Sequence, residues 1–217
     1  MKHRLWVAAL LGGVALSSAA LAQPAETVAG TYAQVNLGSG LGGTAKLSVS
    51  ETGLGSAAGS EDLNAGFFGS AALGRSFGNG FALEGEAVYL KNDIDTDDLN
   101  QAIGTPLSAS VQAVGVMANV RYAVTAVGAT TVHVGAGVGY GRAKYELLGA
   151  SDDKSGAMWQ VMAGLSYPIS DRTSWDVGYR YLGVPDYDFS ETSGGVTDKV
   201  KVESRVHILS IGMRQKF

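Results

Sequence analysis

Apolar and polar positions alternate repeatedly from residue 31 onward, and a period of two marks a strand whose faces meet different surroundings. Over 31–38, Ala33, Val35 and Leu37 alternate with Tyr32, Gln34 and Asn36. Over 65–77, Phe67, Gly69, Ala71 and Leu73 oppose Phe68, Ser70, Ala72 and Gly74. The stretch 81–90 sets Phe81, Leu83, Gly85, Ala87 and Tyr89 against Ala82, Glu84, Glu86 and Val88. In 110–122, Val114, Val116, Ala118, Val120 and Tyr122 oppose Gly115, Met117, Asn119 and Arg121. In 131–141, Val132, Val134, Ala136, Val138 and Tyr140 oppose His133 and a run of alternate glycines. Over 157–167, Trp159, Val161, Ala163, Leu165 and Tyr167 oppose Gln160, Met162, Gly164 and Ser166. Over 174–182, Trp175, Val177, Tyr179 and Tyr181 oppose Asp176, Gly178 and Arg180. The last run sets Leu209, Ile211, Met213 and Phe217 against Ser210, Gly212, Arg214 and Lys216. The pattern predicts eight strands of about ten residues, the length a tilted strand needs to cross a bilayer.

The links between these runs alternate in length. Those near 78–80, 125–130 and 168–173 are short, and Gly78-Asn79-Gly80 is a hairpin signal because its residues tolerate positive φ. Those near 39–64, 91–107, 143–155 and 183–203 are long and rich in Gly, Ser, Asp and Thr. Short periplasmic turns and long external loops alternate in this way in transmembrane barrels. A soluble barrel would share the periodicity with its apolar face inward. Here one face is uniformly apolar with aromatic ends (Tyr89, Tyr122, Tyr140, Trp159, Tyr167, Trp175, Tyr181, Phe217), and the other mixes glycine and serine with charges. Aromatics at strand ends suit the two interfaces of a membrane, and glycines on the opposite face make room in a narrow lumen. The expected fold is all-β: an eight-stranded antiparallel up-and-down transmembrane β-barrel, with four long external loops and both termini in the periplasm.

The N-terminus adds a targeting segment. Lys2, His3 and Arg4 precede an apolar run from Leu5 to Leu16, and Ala20-Leu21-Ala22 follows the small-x-small rule for cleavage before Gln23. The run is shorter than the ~20 residues of a spanning helix. Residues 1–22 are therefore expected to be a cleaved signal helix and 23–217 the barrel. Losing Lys2 and Arg4 takes the basic count from 16 to 14 against 20 acids, a net charge of -6. That balance disfavours nucleic acid, which needs a basic surface. The chain has no Cys, which excludes disulfides and thiolate metal sites.

Several short stretches carry a family resemblance. Gly135-Ala136-Gly137-Val138-Gly139-Tyr140, Trp159-Gln160, Ala163-Gly164-Leu165-Ser166-Tyr167 and Gly178-Tyr179-Arg180-Tyr181 occur in that order. With the terminal Gly212-Met213-Arg214-Gln215-Lys216-Phe217, they resemble the outer-membrane β-barrel domain family of opacity-type and small proteobacterial surface proteins. The resemblance implies a bacterial outer-membrane location and partners in outer-membrane lipid, lipopolysaccharide and the barrel-assembly machinery. It further implies that the machinery reads Leu209, Ile211, Met213 and Phe217 as an assembly signal, with Gln215 departing from the usual apolar residue.

The candidate chemistry lies on the polar face. Glu84, Glu86 and Asp176 share it with Arg121, Arg180, Arg214 and Lys216. Unpaired charge in a low-dielectric lumen is very costly. Eight strands leave room only for side chains, so these residues are expected to form a paired network that fills the barrel. Catalysis is not expected: His207 and Ser210 fall on opposite faces, and His133 reads as inward beside glycines. Asp93, Asp95, Asp97 and Asp98 weakly resemble a calcium loop. However, the sixth position is Asp98 rather than Gly and the twelfth is Gly104 rather than Glu, so a solvated acidic loop is the expected reading. No cofactor is expected. Two roles follow: a structural and surface-interaction barrel, monomeric, that displays loops for envelope integrity or adhesion, or a barrel that passes or captures a hydrophobic compound or haem.

Overall fold

The computed structural model describes residues 29–51, 55–94, 109–147, 150–193 and 196–217. The 1–22 segment with Ala22, and the loop positions Asp95 and Asp97, lie outside the described residues. Ten strand segments follow in order: β1 (Gly30–Glu51), β2 (Gly55–Leu63), β3 (Gly66–Ser76), β4 (Phe81–Ile94), β5 (Ala109–Val127), β6 (Thr130–Leu147), β7 (Ala150–Pro168), β8 (Thr173–Gly183), β9 (Tyr187–Ser193) and β10 (Val196–Lys216). Each pairs antiparallel with its neighbours, and β1 pairs with β10 to close the sheet. β3 and β2 lie end to end along β1, and β8 and β9 lie end to end along β10. The ten segments therefore make an eight-stranded closed barrel, the arrangement that leaves no open edge in lipid.

The strands are longer than the alternation predicts. β6 has 18 residues and β10 has 21, against the 9–11 a tilted strand needs to cross a bilayer. Most of the segments expected as loops over 39–64, 143–155 and 183–203 are strand, so the barrel wall continues as hairpins beyond the short-turn end's opposite rim. The physical reason is that ladder pairing does not require an apolar face. Polar residues extend a ladder in water as readily as apolar ones do in lipid, and polarity alone does not separate the two.

The short turns are well specified. Gly78 and Gly80 take positive φ of 77° and 88°, and the Asn79 side chain accepts from the Phe81 amide at 3.1 Å. Gly128 takes φ of 61° in the turn between β5 and β6. These are backbone conformations that glycine enters without steric cost.

Burial is inverted relative to a soluble barrel. Val138 is 68% exposed and Tyr140 62%, whereas Glu86 is 3% and Arg214 2% exposed. Outward aromatics gather in two bands. Phe77, Phe81, Tyr122, Tyr167, Trp175 and Phe217 lie toward the short turns; Phe67, Tyr89, Tyr140, Trp159 and Tyr181 lie toward the hairpins. On β7, Trp159 and Tyr167 are eight residues apart. At about 3.3 Å per residue and ~40° tilt, that spans about 20 Å, close to the ~25 Å apolar band of outer-membrane barrels.

Candidate functional site in the lumen

Alternation places every second side chain of each strand in the lumen, and strand pairing brings distant residues to one level. Two polar clusters result. In the first, Arg121 on β5 donates from Nη1 to Gln34 Oε1 at 2.8 Å and to Glu84 Oε1 at 2.9 Å, and from Nη2 to Asp176 Oδ1 at 3.2 Å. Arg214 on β10 donates to Gln34 Oε1 at 3.1 Å and Asp176 Oδ1 at 3.2 Å, and its guanidinium lies 4.6 Å from the centre of the Tyr32 ring. The Tyr32 hydroxyl donates to Glu84 at 2.7 Å, and Ser166 donates to Asp176 at 2.7 Å.

In the second cluster, Arg180 on β8 donates to Glu86 Oε1 at 2.6 Å and to Gln160 Oε1 at 3.2 Å. Asn119 and Gln160 each donate to the other Glu86 oxygen at 2.8 Å. The Arg180 guanidinium lies 5.1 Å from the centre of the Phe68 ring. Three buried carboxylates thus face three buried arginines, so the layer carries no net charge. Each ion has several hydrogen-bond partners, the condition under which burying charge is tolerable. Among the network's gaps, a void of about 20 Å³ lies beside Arg121, His133 and Asp176, room for about one water.

Lys216, expected in this network, joins none of the ion pairs among the described residues. It sits half-buried at the short-turn mouth, past the level at which the carboxylates lie. The network also takes in Tyr32, Gln34, Asn119, Gln160 and Ser166, which charge alone does not single out. Their signal is the same inward phase. A second departure concerns the outer half of the lumen. There Phe68, Val88, Leu90, Met158, Leu182 and Ile208 pack into one apolar cluster. The inward face is therefore polar at one level and apolar at the next, and the apolar level seals the lumen as a soluble core would.

The remaining candidates are dispersed. Leu209, Ile211 and Met213 face outward from β10, and Phe217, just past its end, is exposed. His207 is exposed on the outer face, with its Nδ1 2.6 Å from the Tyr179 hydroxyl, while Ser210 points inward. His133 Nδ1 lies 3.4 Å from Ser166 Oγ, and Ser166 in turn bonds Asp176. In a hydrolytic triad the His bridges the Ser and the acid. Here the Ser stands between them, so the His is not oriented to take a proton under control of the acid. Asp93 is exposed on β4, and no cluster of three metal-ligating groups occurs among the described residues. On the hairpins Lys144 and Glu146 are 2.6 Å apart. Their hydrogen bond raises the Lys144 ammonium and lowers the Glu146 carboxyl from their ordinary values.

A closed barrel with its apolar surface outside and a neutral ionic layer within fits a membrane wall. Residues 7–199 match the family described as outer membrane protein beta-barrel domain. The chain belongs to this family. As an outer-membrane barrel it is also similar to an uncharacterised protein of Brucella abortus, 37% identical over 82 residues, 31% of this chain and 29% of that protein. The match thus spans under a third of the length of that relative. Among solved structures, OprG of Pseudomonas aeruginosa shares 14% identity over 87% of this chain and 96% of its own, with a TM-score of 0.55. Neisserial surface protein A shares 21% identity over 86% and 97%, with a TM-score of 0.49. The matched structures also include the protease OmpT of Escherichia coli at a TM-score of 0.43, a likeness too distant to carry an activity across.

Proposed function

We propose that this outer-membrane barrel is a structural and surface-display protein whose lumen is plugged and whose working parts are the external hairpins. The observation that carries this reading is the stack of two sealing layers, a charge-neutral network under an apolar cluster. Packed side chains at both levels, among the described residues, argue against a solute path. The proposed partners are outer-membrane lipid and lipopolysaccharide around the wall, and the barrel-assembly machinery acting on Leu209, Ile211, Met213 and Phe217. A monomer is sufficient, because the sheet closes within one chain. No catalytic role is proposed. A strain lacking the protein is expected to become more permeable to detergents and large antibiotics. Complementation by a barrel with shortened hairpins should restore that barrier but not surface adhesion. Full adhesion without the hairpins would contradict the display reading.

A second reading, entry of a hydrophobic compound, has one observation behind it. β7 pairs with β8 only from Trp159 to Pro168; residues 150–158 have no ladder partner on that side among the described residues. There Val184 and Pro185 interrupt the wall beside the apolar cluster, and the Tyr145 hydroxyl donates to Pro185 O at 2.7 Å. Cells expressing the protein should take up a hydrophobic fluorescent probe no faster than cells without it. Faster uptake, abolished by tethering this segment to β7, would favour passage.

A further inference from the structure

The lumen end that faces the short turns is not sealed like the other. A cavity of about 300 Å³ lies there, between the ends of β6, β7, β8 and β10 and the 169–172 turn. That volume suits a ligand the size of an amino acid or a sugar phosphate. Arg172 and Lys216 both line it, and neither joins an ion pair among the described residues. Arg214 forms its floor, already held by Asp176 and Gln34. The one lining acid besides these partners is Asp171, so the side chains not committed to the network leave an excess of positive charge.

Hydroxyl groups complete the lining. Thr131 is 2% exposed and lines the cavity, yet its Oγ1 has no hydrogen-bond partner among the described residues. A buried hydroxyl without a partner is costly, and a ligand oxygen would satisfy it. The turn is held in place by its own hydrogen bonds. Ser170 Oγ accepts from the backbone N–H of Arg172 at 3.4 Å and of Thr173 at 3.1 Å, and the Lys216 amide donates to Arg172 O at 2.7 Å. The two cations are thus carried on segments tied to each other rather than on independent chain ends.

We propose that this periplasmic mouth binds a small organic oxyanion, a molecule bearing a carboxylate or phosphate group recognised by Arg172, Lys216 and the Thr131 hydroxyl. The site abuts the plug and shares Ser166 and Arg214 with it, whereas Arg172, Lys216 and Thr131 stand outside the charge-neutral layer. The test is calorimetric titration of the refolded full-length barrel in nonionic detergent with inorganic phosphate and, separately, with succinate. Saturable binding of at least one is expected, weakening as salt rises. Phosphate alone binding would assign phosphate esters, and succinate alone would assign carboxylates. Arg172→Gln and Lys216→Met should each weaken binding at least tenfold and Thr131→Val several-fold, with the heat-shifted gel band of the folded barrel retained. If Lys216→Met fails to refold, Arg172→Gln decides. Arg142→Ala, on the far hairpin, should change nothing. No saturation with either probe, or saturation that Arg172→Gln leaves intact, overturns the proposal.

Discussion

Arg121 touches three acceptors that come from three other strands, Gln34 on β1, Glu84 on β4 and Asp176 on β8. Removing it takes from Glu84 the guanidinium it pairs with and leaves Asp176 with Arg214, one buried negative charge in excess in a site that water scarcely enters. Breaking a buried pair costs about 3–5 kcal/mol, so Arg121→Met should lower the urea-unfolding free energy of the refolded barrel by roughly that amount. Arg142, paired with Asp153 on an exposed hairpin, makes the contrast: Arg142→Ala should cost about 0–1 kcal/mol. Equal losses would mean that the lumen is wet. The phase of Glu84, Arg121 and Arg180 was legible from alternation, because a strand residue has only two faces to choose between. Their partners were not legible. Which strand sets its carboxylate beside which guanidinium depends on register, and a glutamine such as Gln160 announces nothing by its charge.

The strands depend on where they lack side chains. A Cβ on Gly137 would run into the Asn119 amide, and one on Gly139 into the Val116 carbonyl. Asn119 in turn holds Glu86. Gly137→Ala should therefore displace Asn119 and destabilise the barrel by about 1–3 kcal/mol, the usual cost of overpacking, read from the same urea transition. The membrane crossings and short turns of these strands could be read in advance, since lipid demands an apolar stripe and Gly78 and Gly80 demand a turn. The extensions past the outer aromatic band could not. Segments such as 55–63, GSAAGSEDL, look like loop by composition, yet β2 pairs with β1 from Gly43 to Glu51. The apolar lumen cluster was hidden for a related reason: Val88 and Met158 share the phase of the charged residues, and alternation does not say at what depth the lumen changes character.

The barrel as a whole presents lipid with an apolar wall and keeps Glu84, Glu86, Asp176 and their arginines inside. A cation on that wall has nowhere to go at mid-depth. Val138→Arg, midway along β6, should cost about 2–4 kcal/mol of unfolding free energy in lipid vesicles, as for other mid-plane cations on barrels. No loss would mean that this face meets water. Filling the lumen has the larger consequence for the proposed function, in which the molecule is a wall and a platform rather than a conduit. Planar-bilayer recording of the refolded protein tests that most directly. No steady conductance above the bare bilayer is expected from the unmodified barrel. A stable, large single-channel current would contradict the plug.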